Sequence, residues 1–285
     1  MSTVYIGTSS FALAVLAASG LHPALVVTRP PAPRGRGRRV EPSPVATGAR
    51  ELGFEVREPA HLEEVAAELE ALAPDVVCLC AYGALVREPL LSSWEILNVH
   101  PSLLPRWRGA APIERAIMAG DTVTGVSIMR TVAALDAGPV CASIAVAVDP
   151  DDDYGELSER LAAVAGPLLA TAVAGPREYA EQDGAGVTYA EKITAADRVL
   201  DSGRGADALE RIVRALRPHI GARLPDGLGV LRARVADVAV PAGALVARDG
   251  RLYFGASPGA LELLSVKPAG GRAMDGPAYA RGHAV

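Results

Sequence analysis

The sequence predicts an α/β fold: a Rossmann-like, mostly parallel sheet with helices on both faces, followed by a small C-terminal β-barrel of OB-like kind. Three observations carry this. Short β-branched runs alternate with helically spaced stretches through the first half of the chain. Two of those runs, Asp75 to Leu79 and Glu95 to Val99, are continuously apolar, the pattern of strands buried on both faces. Towards the C-terminus the pattern changes to several short strands separated by Gly and Pro.

Taken in order, Thr3 to Ile6 reads as a strand, and Ser10 caps an apolar helix through Ala18. Ala24 to Thr28 is a second strand, followed by a Pro/Arg-rich loop from Arg29 to Pro44. A helix to about Leu52, a short strand near Glu55 and Val56, and helical spacing from His61 to Leu72 lead to the two central strands. Gly125 to Met129 and Val140 to Val148 add two more, and a long helix runs from near Asp153 to about Ala174. Glu181 to Gly186 is polar and glycine-rich, a linker signal. The expected organisation is therefore a first domain over 1–180, a linker over 181–190 and a second domain over 191–285. In the second domain Ala206 to Leu216 is helical, with strands at Leu228 to Arg234, Ala244 to Ala247, Leu252 to Gly255 and Leu261 to Val266.

With 285 residues, half of them hydrophobic, and 21% charged at a net −5, the chain is neither disordered nor uniformly basic. The charge is unevenly placed. Residues 187–285 carry 14 basic and 10 acidic side chains, net +4, against −9 for the rest. A mildly basic barrel beside an acidic domain points to a polyanionic partner. Cys78 and Cys80 fall on one face of a strand and read as small buried hydrophobes; with Cys141 they have no zinc-ligand spacing, and no metal is expected. No apolar run of spanning length is read, and no basic residue precedes Phe11 to Ala18, so a cytoplasmic protein without a membrane partner is expected.

An open parallel sheet invites a dinucleotide, but Gly7 stands alone where a three-glycine fingerprint is required, and Thr28 ends the second strand without an acid. Asp149 to Asp153 opens like a calcium loop, then fails at Tyr154 and Arg160. Those acids suit a helix N-terminus, where the macrodipole favours negative charge.

The informative stretch is Asn98-Val-His100-Pro-Ser102-Leu-Leu-Pro105-Arg-Trp-Arg-Gly109. Asn98 and His100 are two apart at a strand end, so both side chains share a face at the ligand edge of the sheet. Asp136 lies in a loop between later strands, where it could reach His100. An amide donor, an imidazole and a carboxylate suit acyl transfer. Asn98 and protonated His100 hold the oxyanion of a tetrahedral intermediate, and Asp136 orients the ring and helps take a proton from an attacking amine. Spacing alone leaves a second reading open: a buried histidine and a turn aspartate.

The whole run Asn98 to Ile113 resembles the signature of methionyl-tRNA formyltransferases. Gly7-Thr-Ser-Ser-Phe-Ala resembles the family's opening motif, and Gly35-Arg-Gly-Arg-Arg with Pro42-Ser-Pro its basic loop. Ala81-Tyr-Gly, Thr124-Gly-Val, Tyr189-Ala-Glu-Lys-Ile, Ile212 to Pro218 and Val266 to Met274 follow in the family's order. Ser9 replaces a usual proline, and Ser202 stands where a tryptophan is common.

The resemblance implies transfer of the formyl group of 10-formyltetrahydrofolate to methionine on initiator tRNA, for translation initiation, by a catalytic first domain and a tRNA-binding second one. It implies Asn98, His100 and Asp136 as the catalytic trio. It implies Ser102, Leu103, Leu104 and Pro105 at the folate, with Tyr82 and Gly83 nearby. It also implies tRNA contact from the loop holding Arg34, Arg36, Arg38 and Arg39, and from second-domain residues such as Lys192 and Arg214. A monomer is expected. Two other readings share the trio or the scaffold: an N-formyltransferase of amino-sugar nucleotides, and a non-catalytic RNA-binding relative.

Overall fold

The computed structural model describes residues 1–34 and 39–283, which divide into two compact units. The first comprises Met1–Pro112, Val123–Ala147 and Ser158–Ala190. The second comprises Ile113–Thr122, Val148–Leu157 and Glu191–Val285. The expected linker residues up to Ala190 thus pack with the first unit, and two short segments from the middle of the chain pack with the second.

The strands up to the division are β1 (Thr3–Gly7), β2 (Leu25–Val27), β3 (Ala32–Arg34), β4 (Arg39–Glu41), β5 (Val56–Arg57), β6 (Val76–Cys80), β7 (Ile96–His100), β8 (Arg108–Gly109), β9 (Val123–Arg130), β10 (Val140–Ala147) and β11 (Tyr189–Ala190). The helices are α1 (Ser10–Ser19), α2 (Pro44–Glu51), α3 (Ala66–Leu72), α4 (Leu90–Ser93), α5 (Pro112–Ala119) and α6 (Tyr154–Ala174). A seven-stranded sheet runs in the order β10-β9-β7-β6-β1-β2-β5. It is parallel from β5 to β7, while β9 and β10 are antiparallel. The mostly parallel sheet stands as expected.

Several local expectations are corrected. The cap of α1 is Ser9, whose hydroxyl accepts from Ala12 N at 3.2 Å, one residue before Ser10. The Pro/Arg-rich loop contains the β3–β4 hairpin. The stretch after His61 begins as a 3-10 turn, Leu62–Val65, before α3. By length and composition α6 passes for a membrane span, contrary to the sequence expectation; in the structure Leu161, Ala165, Leu169 and Val173 on it are buried. Cys78 and Cys80 are buried as expected, and burial pushes both thiols up to about 12, leaving them neutral and inert.

β7 is pinned at its start. Glu95 pairs with Arg177 through Nη2 at 2.6 Å and Nε at 3.2 Å, and accepts from the Tyr179 hydroxyl at 2.5 Å. Arg177 Nη1 also donates to the Ala172 carbonyl at the end of α6.

The second unit is built on α7 (Ala206–Leu216) and six antiparallel strands: β12 (Ala222–Arg223), β13 (Gly229–Ala236), β14 (Leu245–Arg248), β15 (Arg251–Gly255), β16 (Ala260–Lys267) and β17 (Met274–Asp275). A short α8 (Gly276–Gly282) follows. The sheet order is β12-β13-β16-β15-β14, with β17 on β16. One face of α7, with Leu209, Ile212, Val213 and Leu216, is buried in a core with Phe254, Leu261 and Leu263. Asp153 caps the start of α6, accepting from Glu156 N at 2.9 Å while Glu156 Oε2 accepts from Asp153 N at 3.0 Å. This is the acid-at-helix-start role expected of that run.

Candidate active site

β7 lies between β6 and β9, and its last residues carry the site. The strand is apolar because both faces are covered, so a polar residue on it stands out: Asn98 is half-buried and His100 is 4% exposed. Alternation puts both side chains on one face.

His100 is held at one ring nitrogen. Nε2 lies 2.8 Å from the Trp107 carbonyl. A carbonyl only accepts, so Nε2 carries a proton, and Nδ1 is the nitrogen turned to the chemistry. Trp107 reaches that position through a left-handed backbone, φ 63°, costly for a bulky residue. Its amide is anchored on Thr188 Oγ1 at 2.9 Å.

Asp136 sits in the loop after β9, also left-handed at φ 46°. Its Oδ1 accepts from Asn98 Nδ2 at 3.3 Å and its Oδ2 from Gly109 N at 2.8 Å. Oδ2 is 3.7 Å from His100 Nδ1, with both side chains mostly buried. The three side chains inferred from the sequence are therefore brought together. The Gly109 amide reaches the carboxylate because its backbone is free to adopt φ 123°, and a Cβ there would lie 2.6 Å from the Ala190 carbonyl.

A cavity of about 320 Å³ opens beside the trio, lined by Asn98 and Asp136 together with Leu79, Leu85, Val86, Leu91, Met129 and Leu135. Thr131 also lines it; its hydroxyl is buried with no hydrogen-bond partner among the described residues. Such an atom is costly to the fold, and the hydroxyl itself is turned away from the open space of the cavity. Among the described residues no three His, Cys, Asp or Glu side chains converge as metal ligands.

The other expected residues are placed as follows. Ser102 is fully buried, donating to the Arg106 carbonyl at 2.6 Å, and shapes the turn after β7. Leu103, Leu104 and Pro105 are half-buried, and Leu104 N donates to Ser127 Oγ at 3.1 Å. None of these four lines the cavity, nor do Tyr82 and Gly83, which directly precede its Ala84. Thr8 donates to the Tyr82 carbonyl at 2.9 Å and Arg29 to that of Gly83 at 3.0 Å. Arg36 and Arg38 lie outside the described residues, as does the side chain of Arg34; Arg39 is exposed on β4.

In the second unit Lys192 is exposed. Arg214, expected at the tRNA, also bonds within its own unit: its Nε lies 2.8 Å from both Glu210 oxygens and its Nη1 2.7 Å from the Asp152 carbonyl. Arg217 is likewise paired with Asp153, and Arg211 donates to the Met118 carbonyl at 3.3 Å.

Sequence reasoning missed three residues around the trio: Thr131, Thr188 and Gln182. The last donates from Nε2 to the carbonyls of Asp136 at 2.9 Å and Gly138 at 2.7 Å. A polar residue bonding backbone carbonyls follows no period, and the glycine-rich setting of Gln182 reads as linker.

Two domain families match the chain: formyl transferase over residues 5–173, and formyl transferase, C-terminal domain, over residues 192–284. A methionyl-tRNA formyltransferase of Halorhodospira halophila is 40% identical over 98% of this chain and 95% of its own length. One of Methylococcus capsulatus is 41% identical over 100% and 98%. Among solved structures, the N-formyltransferase from Helicobacter canadensis, in complex with folinic acid and dTDP-3-aminofucose, superposes with a TM-score of 0.69 over 92% of this chain and 98% of that one, at 12% identity. HypX from Aquifex aeolicus, in complex with tetrahydrofolic acid, gives 0.64 over 98% of this chain and 46% of its own, at 15% identity. These last two share the fold. By its full-length relatives and both matched domains, the chain belongs to the formyl transferase family, in the branch of the methionyl-tRNA formyltransferases.

Proposed function

We propose that this chain transfers the formyl group of 10-formyltetrahydrofolate to the amino group of methionine on initiator tRNA, as a cytoplasmic monomer serving translation initiation. The observation that carries the reading is the convergence of Asn98, His100 and Asp136 beside a cavity with apolar walls, in a chain whose relatives are methionyl-tRNA formyltransferases throughout their length.

The cavity fits a flat heterocycle. Leu85, Leu91, Met129 and Leu135 offer apolar faces, and Arg87, Glu88, Asn98 and Asp136 add polar groups to its lining. When bound there, the folate supplies the formyl carbon. The Ser102–Pro105 turn supports the site through Ser127 and holds the chain on its way from His100 to Trp107.

The chain's own groups then divide the work. The second hydrogen on Asn98 Nδ2 and a proton on His100 Nδ1 are donors to negative charge developing on the formyl oxygen. Asp136, with one oxygen on Asn98 and the other on the Gly109 amide, accepts the proton released by the attacking amine; as the bond between the formyl carbon and the folate nitrogen breaks, a proton is returned to that nitrogen and tetrahydrofolate leaves neutral. No side chain is acylated. The Arg-rich segment from Arg29 to Arg39, with Arg36 and Arg38 at its centre, and the exposed Lys192 contact tRNA phosphates.

The test is a comparison of kcat/KM for methionine-charged initiator tRNA and for an amino-sugar nucleotide, with the same folate donor. A strong preference for the tRNA is expected. Preference for the sugar overturns the acceptor and leaves the trio standing.

A further inference from the structure

Residues 181–190 look like a linker in sequence, yet together with Ala180 they tie down both backbone segments that hold the trio. Ala180 bridges Val140 at the start of β10. Thr188 accepts from Trp107 N at 2.9 Å through its hydroxyl and from Arg108 N at 2.9 Å through its carbonyl, and Trp107 is the residue that holds His100 Nε2. β11 then pairs with β8, Tyr189 opposite Arg108 and Ala190 opposite Gly109. Between these anchors Gln182 bonds the loop of Asp136.

The orientation of the Gln182 amide follows from its partners. Arg108 donates to Oε1 from Nη2 at 2.7 Å and from Nε at 3.0 Å, and a guanidinium cannot accept. Nε2 is therefore the end facing the carbonyls of Asp136 and Gly138, at 2.9 and 2.7 Å. The bonds close a ring. The Asp136 carboxylate bonds Gly109 N; Gly109 follows Arg108; Arg108 bonds Gln182; and Gln182 returns to the Asp136 backbone.

We infer that Gln182 is a positioning residue for formyl transfer, setting where the Asp136 carboxylate stands relative to Asn98 and His100. Asp136 needs such a fastening. Its left-handed backbone is a sparsely populated conformation, and the Gln182 amide fastens the carbonyl of that same residue. Gly138 completes the turn, since a Cβ there would collide with the Arg130 carbonyl. Displacing a proton acceptor by a fraction of an ångström costs rate, not affinity. The inference rests on the reaction read above.

Two variants separate the arms. Gln182→Glu keeps the bonds from Arg108 and loses both donors to the loop, whereas Gln182→Ala loses everything. Each is assayed with 10-formyltetrahydrofolate and charged initiator tRNA, with thermal unfolding as a check that Gln182→Glu is folded. The expected result is a kcat lower by about 10- to 100-fold for both, with KM for donor and tRNA unchanged. In an Asp136→Asn background Gln182→Glu causes no further loss, because it acts through that carboxylate. A wild type that turns over, beside a Gln182→Glu variant that turns over equally fast or whose loss adds fully to that of Asp136→Asn, overturns the role of Gln182. A wild type that leaves charged tRNA unformylated overturns the functional reading itself.

Discussion

Asn98 Nδ2 donates to Asp136 Oδ1 at 3.3 Å, joining the end of the central strand β7 to a loop 38 residues further on. The same carboxylate accepts the Gly109 amide and faces His100 Nδ1, so one aspartate organises a strand, a turn and an imidazole. Removing its charge while keeping its shape tests that directly. Asp136→Asn is expected to lower kcat by about 10²- to 10⁴-fold, the usual weight of a proton-transferring group. His100→Ala is expected to fall at least as far, with tRNA binding retained in both. Wild-type turnover by either variant contradicts the assignment.

Thr131 gives a prediction for stability. Its buried hydroxyl has no partner among the described residues, so Thr131→Val removes a cost from the free protein. The melting temperature is expected to stay or rise. A melting temperature lowered by several degrees shows that the hydroxyl is satisfied in solution.

Arg36→Ala probes the basic segment. Loss of one phosphate contact raises KM for charged tRNA and lowers the slope of log affinity against log salt by about one unit. Donor binding is untouched. A salt slope equal to that of the wild type shows that Arg36 makes no such contact.

Asp197 sets an acid limit on the second unit. Burial alone raises its pKa, but the Arg115 guanidinium at 2.8 Å and the Thr194 hydroxyl and amide outweigh it and hold the carboxyl at about 2. The unfolded value is about 4. A carboxyl depressed on folding stabilises above its unfolded pKa and loses that stability as pH falls through its folded one. Asp197→Asn is therefore expected to cost roughly 2 kcal/mol at neutral pH, and the difference from wild type shrinks steadily below about pH 4 and is mostly gone by about pH 2. Denaturant unfolding at several pH values measures it; a gap at pH 2 as large as at neutral pH refutes the linkage.

Much of this was legible in the residues. Continuous apolar runs marked β6 and β7, and a polar pair two apart at the end of such a run marked Asn98 and His100. Asp136 was legible as a loop carboxylate, but its partnership is a matter of tertiary geometry that family resemblance supplied. The antiparallel direction of β9 and β10 was hidden, since buried strands look alike in either sense. The cap of α1 was misplaced by one because Ser9 and Ser10 are adjacent and equally able to cap. The bond from Arg214 to the Asp152 carbonyl was hidden, since a backbone acceptor 62 residues away carries no sequence signal. Gln182 was invisible because its partners are backbone atoms, which carry no sequence signal.

The most direct measurement follows an isotope-labelled formyl carbon from 10-formyltetrahydrofolate in a single turnover with methionine-charged initiator tRNA. The account predicts label on the methionine amino group, none on uncharged tRNA, and near loss of transfer in Asp136→Asn. Label that stays on the folate with wild-type protein, or that passes to an amino-sugar nucleotide in preference to the tRNA, contradicts it.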